Sequence, residues 1–348
     1  MQPQQLIDAI SEREREERVA RGLPPSHLTD FAHFPFFFAT AAVQDFDRLT
    51  TKALSAQPQA ALFAAMAALA LKDVPRANDL ITKYQSAVPS DPRGRMRFGV
   101  EPAPPSSDLP KIDGTFPTEP CLFVCCDETY LRNYASSLLL SVADHSPGTR
   151  VHVHLIDTNP VWFERASKFP LNFSLSFEDS RGFVEKHGMK RHDYYGAVRF
   201  IRFAEALESC PRLWGVDADA LAAGDIGPLF RHTAPIAMRV RAGRLEPWNQ
   251  FSACLVMGSA DSRAYFRTVA NILRADLHAP WWGIDQYALY SAWLKDKPPI
   301  ELLGPDVTSV DDNIPGLFWF TAGRKKKEIL SAPSPYAVLF REYLRRVG

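Results

Sequence analysis

Leu213-Trp214-Gly215-Val216-Asp217-Ala218-Asp219-Ala220-Leu221-Ala222-Ala223-Gly224-Asp225-Ile226-Gly227-Pro228-Leu229-Phe230 carries a short apolar run into two carboxylates one residue apart. Leu213, Trp214 and Val216 read as a buried strand. Alternate residues of a strand, or of its frayed end, share a side, so Asp217 and Asp219 are expected to face one way. Two carboxylates so placed repel unless a cation lies between them. Mg²⁺ and Mn²⁺ take one or two protein carboxylates and complete their shell with phosphate oxygens and water. The segment therefore reads as a metal–diphosphate clamp; an ordinary acidic turn is the other reading of the same residues. Gly224, Gly227 and Pro228 then punctuate a turn before Leu229 and Phe230 return to apolar packing.

The chain has 348 residues, room for one large domain or two ordinary ones. Lys plus Arg number 40 and Asp plus Glu number 40, so no overall field favours nucleic acid or an anionic membrane. No apolar run reaches the roughly 18 to 20 residues that span a bilayer. The segment Ser11 to Arg18 alternates charges where a signal peptide would be basic and then apolar, which points to the cytoplasm. Five cysteines, Cys121, Cys125, Cys126, Cys210 and Cys254, show no Cys-x-x-Cys spacing and read as free thiols in a reducing compartment.

Three regions follow from texture. Residues 1–95 read as a helical domain or cap, with a charged helix near Glu12 to Arg21, an aromatic knot at His33 to Phe38, and a helical pair over Ala60–Leu71 and Pro75–Val88 that is weakly tetratricopeptide-like. Residues 96–120 hold Pro102, Pro104, Pro105, Pro110, Pro117 and Pro120 and read as an extended linker without a core. Residues 121–348 read as α/β. Cys121 to Cys126 and Val151 to Ile156 are continuous apolar runs, as in parallel strands covered on both faces, and a helical period over Tyr130 to Ala143 joins them. Phe173–Phe177, Pro235–Val240 and Phe251–Met257 read as further strands, with helices over Tyr194–Glu208 and Ser262–Ala275. His152 and His154 read as sheet-face histidines rather than a metal pair.

The Val216-Asp217-Ala218-Asp219 segment, followed by Asp225-Ile226-Gly227-Pro228-Leu229-Phe230, resembles the Asp-x-Asp segment of GT-A-fold glycosyltransferases, nearest the family-8 type that includes glycogenin and lipopolysaccharide galactosyltransferases. Four more segments resemble the family in order: Cys126-Asp127-Glu128-Thr129-Tyr130, Ala197-Val198-Arg199-Phe200, Trp281-Trp282-Gly283-Ile284-Asp285-Gln286, and Phe318-Trp319-Phe320-Thr321-Ala322-Gly323-Arg324-Lys325-Lys326-Lys327. The resemblance covers about residues 120–330. It implies a Rossmann-like mixed sheet flanked by helices and a hexosyltransferase that moves a hexose from a nucleoside-diphosphate sugar, a UDP-sugar favoured, to an acceptor hydroxyl, with the retention of configuration that goes with the family.

Residue by residue, the resemblance gives the metal, Mn²⁺ or Mg²⁺, to Asp217 and Asp219. It gives nucleotide contacts to Asp127, Tyr130, Arg199, Ala218, Arg324, Lys325 and Lys326, and the reacting region to Asp285, Gln286 and Lys325. Tyr130 would stack on the base or pack on the sheet. Arg202 rivals Arg199 for the phosphates. The two tryptophans before Asp285 offer apolar faces to a pyranose ring. Two positions depart from the family: Ser252-Ala253-Cys254 stands where Asn-Ala-Gly is usual, and Phe320 or Thr321 where a His supplies a third metal ligand. These departures favour the alternative of a non-catalytic nucleotide- or sugar-binding protein. Either way, residues 1–95 are a candidate docking module for a protein partner.

Overall fold

The computed structural model describes residues 59–70, 73–100, 109–164, 166–240, 250–320, 329 and 331–347. The aromatic knot at His33 to Phe38 and the Arg324-Lys325-Lys326 run lie outside them. By its contacts the chain divides into two units. The first takes Met1–Glu101, Arg241–Phe251 and Tyr290–Lys295; the second takes Pro102–Val240, Ser252–Leu289 and Asp296–Gly348.

In the first unit, α1 (Gln59–Ala70) and α2 (Val74–Ala87) pack together through Leu62, Ala65, Met66 and Leu69 on one side and Leu80, Ile81 and Tyr84 on the other. Asp73 caps α2 by accepting from the Arg76 N–H at 3.1 Å, and Pro75 sits in the first turn, where its missing N–H costs nothing. Among the described residues this is one helical pair, not an array.

The second unit is built on strands β1 (Ile112–Gly114), β2 (Cys121–Asp127), β3 (Arg150–Ile156), β4 (Asn172–Glu178), β5 (Arg212–Val216), β6 (Ala220–Ala222), β7 (Ile236–Val240), β8 (Phe251–Ser259), β9 (Glu301–Leu302), β10 (Thr308–Ser309) and β11 (Phe318–Phe320). One sheet runs β1-β4-β3-β2-β5-β8-β7-β9, and a small one runs β10-β11-β6. Strands β4, β3, β2 and β5 are parallel neighbours, so their carboxyl ends share one edge. β8 runs antiparallel to β5 and β1 antiparallel to β4. The helices are α3 (Ser136–His145), α4 (Arg181–Lys186), α5 (Arg191–Ser209), α6 (Arg263–Asp276), α7 (Ile284–Asp296), of which Tyr290–Lys295 belongs to the first unit, and α8 (Pro335–Val347). Two glycines let helices lie close on the sheet. A Cβ on Gly215 would stand 3.0 Å from the Phe203 ring of α5, and one on Gly258 2.6 Å from the Phe266 ring of α6.

The stretch 96–120 departs from the expectation of a coreless linker. Met96 and Phe98 are buried, and Asn78 holds the Phe98 backbone at 2.9 and 3.0 Å. Ile112–Gly114 adds an edge strand to β4. Further along, the Pro110 and Pro117 carbonyls accept hydrogen bonds from Arg202 and Ser209. Proline removes an N–H, not a carbonyl, so a proline-rich segment still docks as an acceptor.

Candidate functional site

Each of the four parallel strands ends in an acid: Asp127 closes β2, and Asp157, Asp179 and Asp217 follow β3, β4 and β5. Open α/β sheets bind ligands beyond this edge. Asp157 adopts a left-handed φ of 53°, which Asp tolerates better than most residues. Its carboxylate accepts from the Ser180 N–H at 2.6 Å, the Ser180 hydroxyl at 2.8 Å and the Tyr195 hydroxyl at 3.2 Å.

β5 stops at Val216, and Asp217 to Asp219 form a turn closed by the Ala220 N–H donating to the Asp217 carbonyl at 3.1 Å. The shared-side expectation for a strand therefore does not carry over. The Asp217 side chain is 31% exposed, whereas Asp219 is buried. The turn is tied down on both sides. The Asp217 N–H donates to the Cys254 carbonyl of β8 at 2.8 Å, and the Tyr336 hydroxyl of α8 donates to the Asp219 carbonyl at 2.7 Å. Downstream, Trp214 Nε1–H donates to the Leu229 carbonyl at 3.1 Å, and Asp225 accepts from Ser146 at 2.7 Å and from the Gly227 N–H at 2.8 Å. The run from Asp225 to Phe230 is thus tied to Trp214 of β5 and to Ser146 after α3.

Arg199 of α5 joins this turn to α7. One of its terminal nitrogens pairs with Asp217 and the other with Asp285 Oδ2 at 2.8 Å. Three residues distant in sequence meet in one cluster, with Arg199 and Asp285 mostly buried. Arg202, the rival, is elsewhere: it bonds Glu178 at 2.6 Å, Glu205 at 2.8 Å and the Pro110 carbonyl at 2.8 Å. Beside Asp285, the Gln286 side-chain oxygen is buried and accepts no hydrogen bond among the described residues.

At the end of β2, Asp127 Oδ1 accepts from the Tyr130 N–H at 2.8 Å and opens a helical turn. Burial first, and the nearby Asp157 charge further down, hold the Asp127 carboxyl above its ordinary value, against the pull of the Tyr130 and its own N–H. A wide helical turn, Leu131–Ala135, then leads into α3. Tyr130 keeps 38% of its surface exposed, with its ring 5.1 Å from that of Tyr134. It is neither sealed in the core nor free of it. Ser252 is buried beside Cys254, their Oγ and Sγ 2.9 Å apart, next to the aspartate turn.

The Asp217 and Asp219 carboxylates are the groups of this turn that could hold a divalent cation. No group of three or more His, Cys, Asp or Glu side chains able to hold a metal ion occurs among the described residues. Two hard carboxylates fit a cation that completes its shell with phosphate oxygens, not one caged by protein alone. Phe320, at one of the positions where the family's histidine is expected, is a buried residue of β11 and offers no ligand atom. His152 and His154 bond Ser174 and Ser176 at 2.8 to 2.9 Å inside the sheet layer.

No protein-family model and no curated protein sequence matches the chain. Solved structures do. The galactosyltransferase LgtC, in complex with donor and acceptor sugar analogues, superposes with a TM-score of 0.50 at 13% identity, over 65% of this chain and 95% of LgtC. The fold is that of the GT-A glycosyltransferases. The bifunctional glycosyltransferase WbbM matches at a TM-score of 0.46 and 14% identity over 66% of this chain, which spans about half of WbbM, 52%. GlyE of Streptococcus pneumoniae TIGR4, in its apo form, matches at 0.47 and 12% over 66% of this chain and 60% of its own.

Within this GT-A sheet the structure brings Asp217, Ala218, Asp219, Arg199 and Asp285 to one cluster, with Gln286 next in sequence to Asp285. Asp127 and Tyr130 lie at the end of a neighbouring strand of the same edge. Arg324, Lys325 and Lys326 lie outside the described residues. Asp157, Ser180 and Tyr195 were not among the expected site residues, although they form a bonded group at that edge. The available signal was the repetition of an acid at each parallel strand's end. All five cysteines are free, four of them buried. No helix among the described residues is long and apolar enough to cross a membrane.

Proposed function

We propose that this chain is a hexosyltransferase that moves a hexose from a nucleoside-diphosphate sugar to an acceptor hydroxyl, assisted by Mn²⁺ or Mg²⁺. The observation that carries the reading is the bridge from Arg199 to both Asp217 and Asp285 at the carboxyl edge of a GT-A sheet. LgtC, which shares the fold, was solved with donor and acceptor sugar analogues. A UDP-sugar is the favoured donor, and retention of configuration goes with the family resemblance.

In this reading Asp217 and Asp219 offer carboxylate oxygens to the cation. When bound, the cation supplies Lewis-acid stabilisation of the departing diphosphate. Arg199 presents a planar fork suited to phosphate oxygens, and it already restrains Asp285. Asp285 accepts hydrogen bonds from sugar hydroxyls, and the buried Gln286 carbonyl is an acceptor for another. Asp127 and Tyr130 receive the nucleoside, and the Ala218 backbone lies against it. Arg324, Lys325 and Lys326 neutralise charge that builds on the leaving group, where fixed cations act most strongly in the transition state.

The test is a panel of nucleotide sugars incubated with the full chain and Mn²⁺, followed for slow release of free sugar. Hydrolysis of one donor, lost in Asp217→Ala, is the expected result. The two-carboxylate donor set favours a second reading, a non-catalytic nucleotide-sugar binder. Calorimetric binding of UDP without hydrolysis of any donor selects that one. The cytoplasm suits five free thiols, and residues 1–95 are the proposed docking module for a protein partner.

A further inference from the structure

A ladder of aromatic rings runs from Tyr130 to the aspartate turn, by way of a helix that no step of the proposed reaction uses. The Tyr130 ring centroid lies 5.1 Å from that of Tyr134. Tyr134 lies 5.7 Å from Phe340 of α8, and Phe340 lies 6.1 Å from Tyr336, their planes 18° apart. These are the separations of packed aromatic pairs, which attract beyond the area they bury. At the far end Tyr336 donates its hydroxyl to the Asp219 carbonyl at 2.7 Å and meets the Trp319 ring edge-on at 5.3 Å. Trp319 pairs in turn with Leu221 of β6, two residues beyond Asp219. These rings stand apart from the main core of the sheet. Tyr336, Phe340, Trp319 and Leu221 are buried in a separate small cluster, with Tyr134 packed against it. α8 has its own anchor as well, because Arg346 holds both Asp144 oxygens at 2.5 and 2.9 Å.

We propose that Tyr134 and Phe340 are positioning residues that couple the nucleoside subsite to the cation subsite, so that each ligand tightens the binding of the other. This rests on the roles given above to Tyr130 and to Asp217 and Asp219, and adds how the two subsites communicate. Tyr336 and Phe340 are each 1% exposed, whereas Tyr130 at the open end is only partly covered. Between Tyr130 and α3 lies the wide turn Leu131–Ala135, in which the Ser136 N–H reaches back five residues to the Leu131 carbonyl. Such a turn holds one residue more than a regular one, and losing that residue would rotate Tyr130 by about 100° around the helix axis. Stacking on Tyr134 favours the wide turn, and a base stacked on Tyr130 adds to the same preference. From the other end, a cation that fixes the aspartate turn fixes Tyr336, and Phe340 passes that constraint to Tyr134. A ligand at either end thus orders rings that the second ligand would otherwise have to order. That is positive coupling, and by linkage it is reciprocal.

The experiment uses the full chain with uridine and Mn²⁺. Uridine carries no phosphate, so it lacks the oxygens that join a nucleotide to the cation directly. Equilibrium dialysis of radiolabelled uridine, with and without saturating Mn²⁺, gives the coupling factor. The wild type should bind uridine at least about fivefold more tightly with Mn²⁺, the low end of ordinary couplings. In Phe340→Leu, which stays apolar but loses the ring, the factor should fall below about twofold. Tyr134 is only partly buried, so Tyr134→Leu repeats the test where the fold is least at risk, and Tyr134→Phe should restore the wild-type factor. Phe266→Leu is the contrast: its ring meets Phe203 and Tyr265, away from the ladder, so it should lower stability and leave the factor unchanged. No uridine binding in the wild type, or a wild-type factor below about twofold, overturns the coupling. So does a wild-type factor kept in Tyr134→Leu, or an equal fall in Phe266→Leu. Absence of donor hydrolysis in the wild type refutes the transferase reading separately, whatever the uridine factor is.

Discussion

Arg199 and Arg202 stand less than one turn apart on α5 and meet opposite surroundings. Arg202 and Glu178 are buried at 3% and 0% side-chain exposure, and Arg202 also bonds Glu205 and the Pro110 carbonyl. Glu178 accepts in turn from Tyr194 at 2.9 Å and lies 3.4 Å from His154, which continues through Ser176 to His152 and Ser174. Arg199 is paired just as fully in charge, but Asp217 is 31% exposed and the Arg199 Nε makes no hydrogen bond among the described residues. The first group is sealed from solvent, although His154 Nε2 makes no hydrogen bond among the described residues. The second lies at the carboxyl edge with the Asp217 side chain 31% exposed, where the proposed function has a phosphate take the place of a carboxylate on Arg199. Identical residue types thus make a scaffold in one place and, in the proposed function, a ligand site in the other.

The largest effect should come from the sealed side. Arg202→Ala strands the Glu178 carboxylate in the core, and breaking a buried pair costs about 3–5 kcal/mol. Urea unfolding measures it, and a loss below about 1 kcal/mol would remove the scaffold role. Arg199→Ala should behave oppositely. Its stability loss should be smaller than that of Arg202→Ala, because the pair at Asp217 is 31% exposed and can be hydrated, while calorimetric affinity for UDP with Mn²⁺ falls at least about tenfold, the scale of a charge-assisted contact. A stability loss matching that of Arg202→Ala, with UDP affinity intact, would erase the contrast between the two arginines.

Acid should attack the sealed side as well. Burial, with the neighbouring His154 charge second, pushes the His152 imidazole down to about 3. The unfolded chain therefore binds more protons between that value and its own, near 6.5. Stability is fully present above about pH 6.5 and declines as pH falls through the window, by about 2 kcal/mol at pH 5. At Glu178 burial works to raise the pKa but is outweighed by His154 and Arg202, so its lowered value adds to the loss at lower pH. Unfolding curves across pH 5 to 7 check the slope, and His152→Gln should flatten it. An unchanged slope would mean that another group carries the dependence.

The smallest effect joins the two regions' supports. Tyr336→Phe removes the hydrogen bond that holds the Asp219 carbonyl. It should cost about 1 kcal/mol in unfolding and weaken Mn²⁺-dependent UDP binding more than metal-free binding. Equal weakening of both would show that Tyr336 does not act through the aspartate turn.

Much of this layout was legible in the chain. The continuous apolar runs at Cys121 and Val151 announced strands covered on both faces, and Leu213 to Val216 announced the strand before the aspartates. Short-range pattern suffices there, because burial on both faces leaves a local signature. The edge strand Ile112–Gly114 left none. Three residues in a proline-rich stretch become a strand only because β4 offers them a partner. The helix Arg181–Lys186 is likewise too short to show a period.

The site divides in the same way. Sequence alone determined that an apolar strand runs into Asp217 and Asp219, and that a helical period follows Asp127 from Tyr130 on. Each follows from apolar runs and the breaks that close them. Which of two arginines on one helix faces the aspartates was decided only by tertiary packing, since both lie on the same helix within one turn. So was the fate of the adjacent Trp281 and Trp282, one buried and one exposed. Neighbours in sequence share their local propensities, but the partners that reach them come from strands and helices tens of residues away, and long-range contacts alone distribute burial and charge pairing among them.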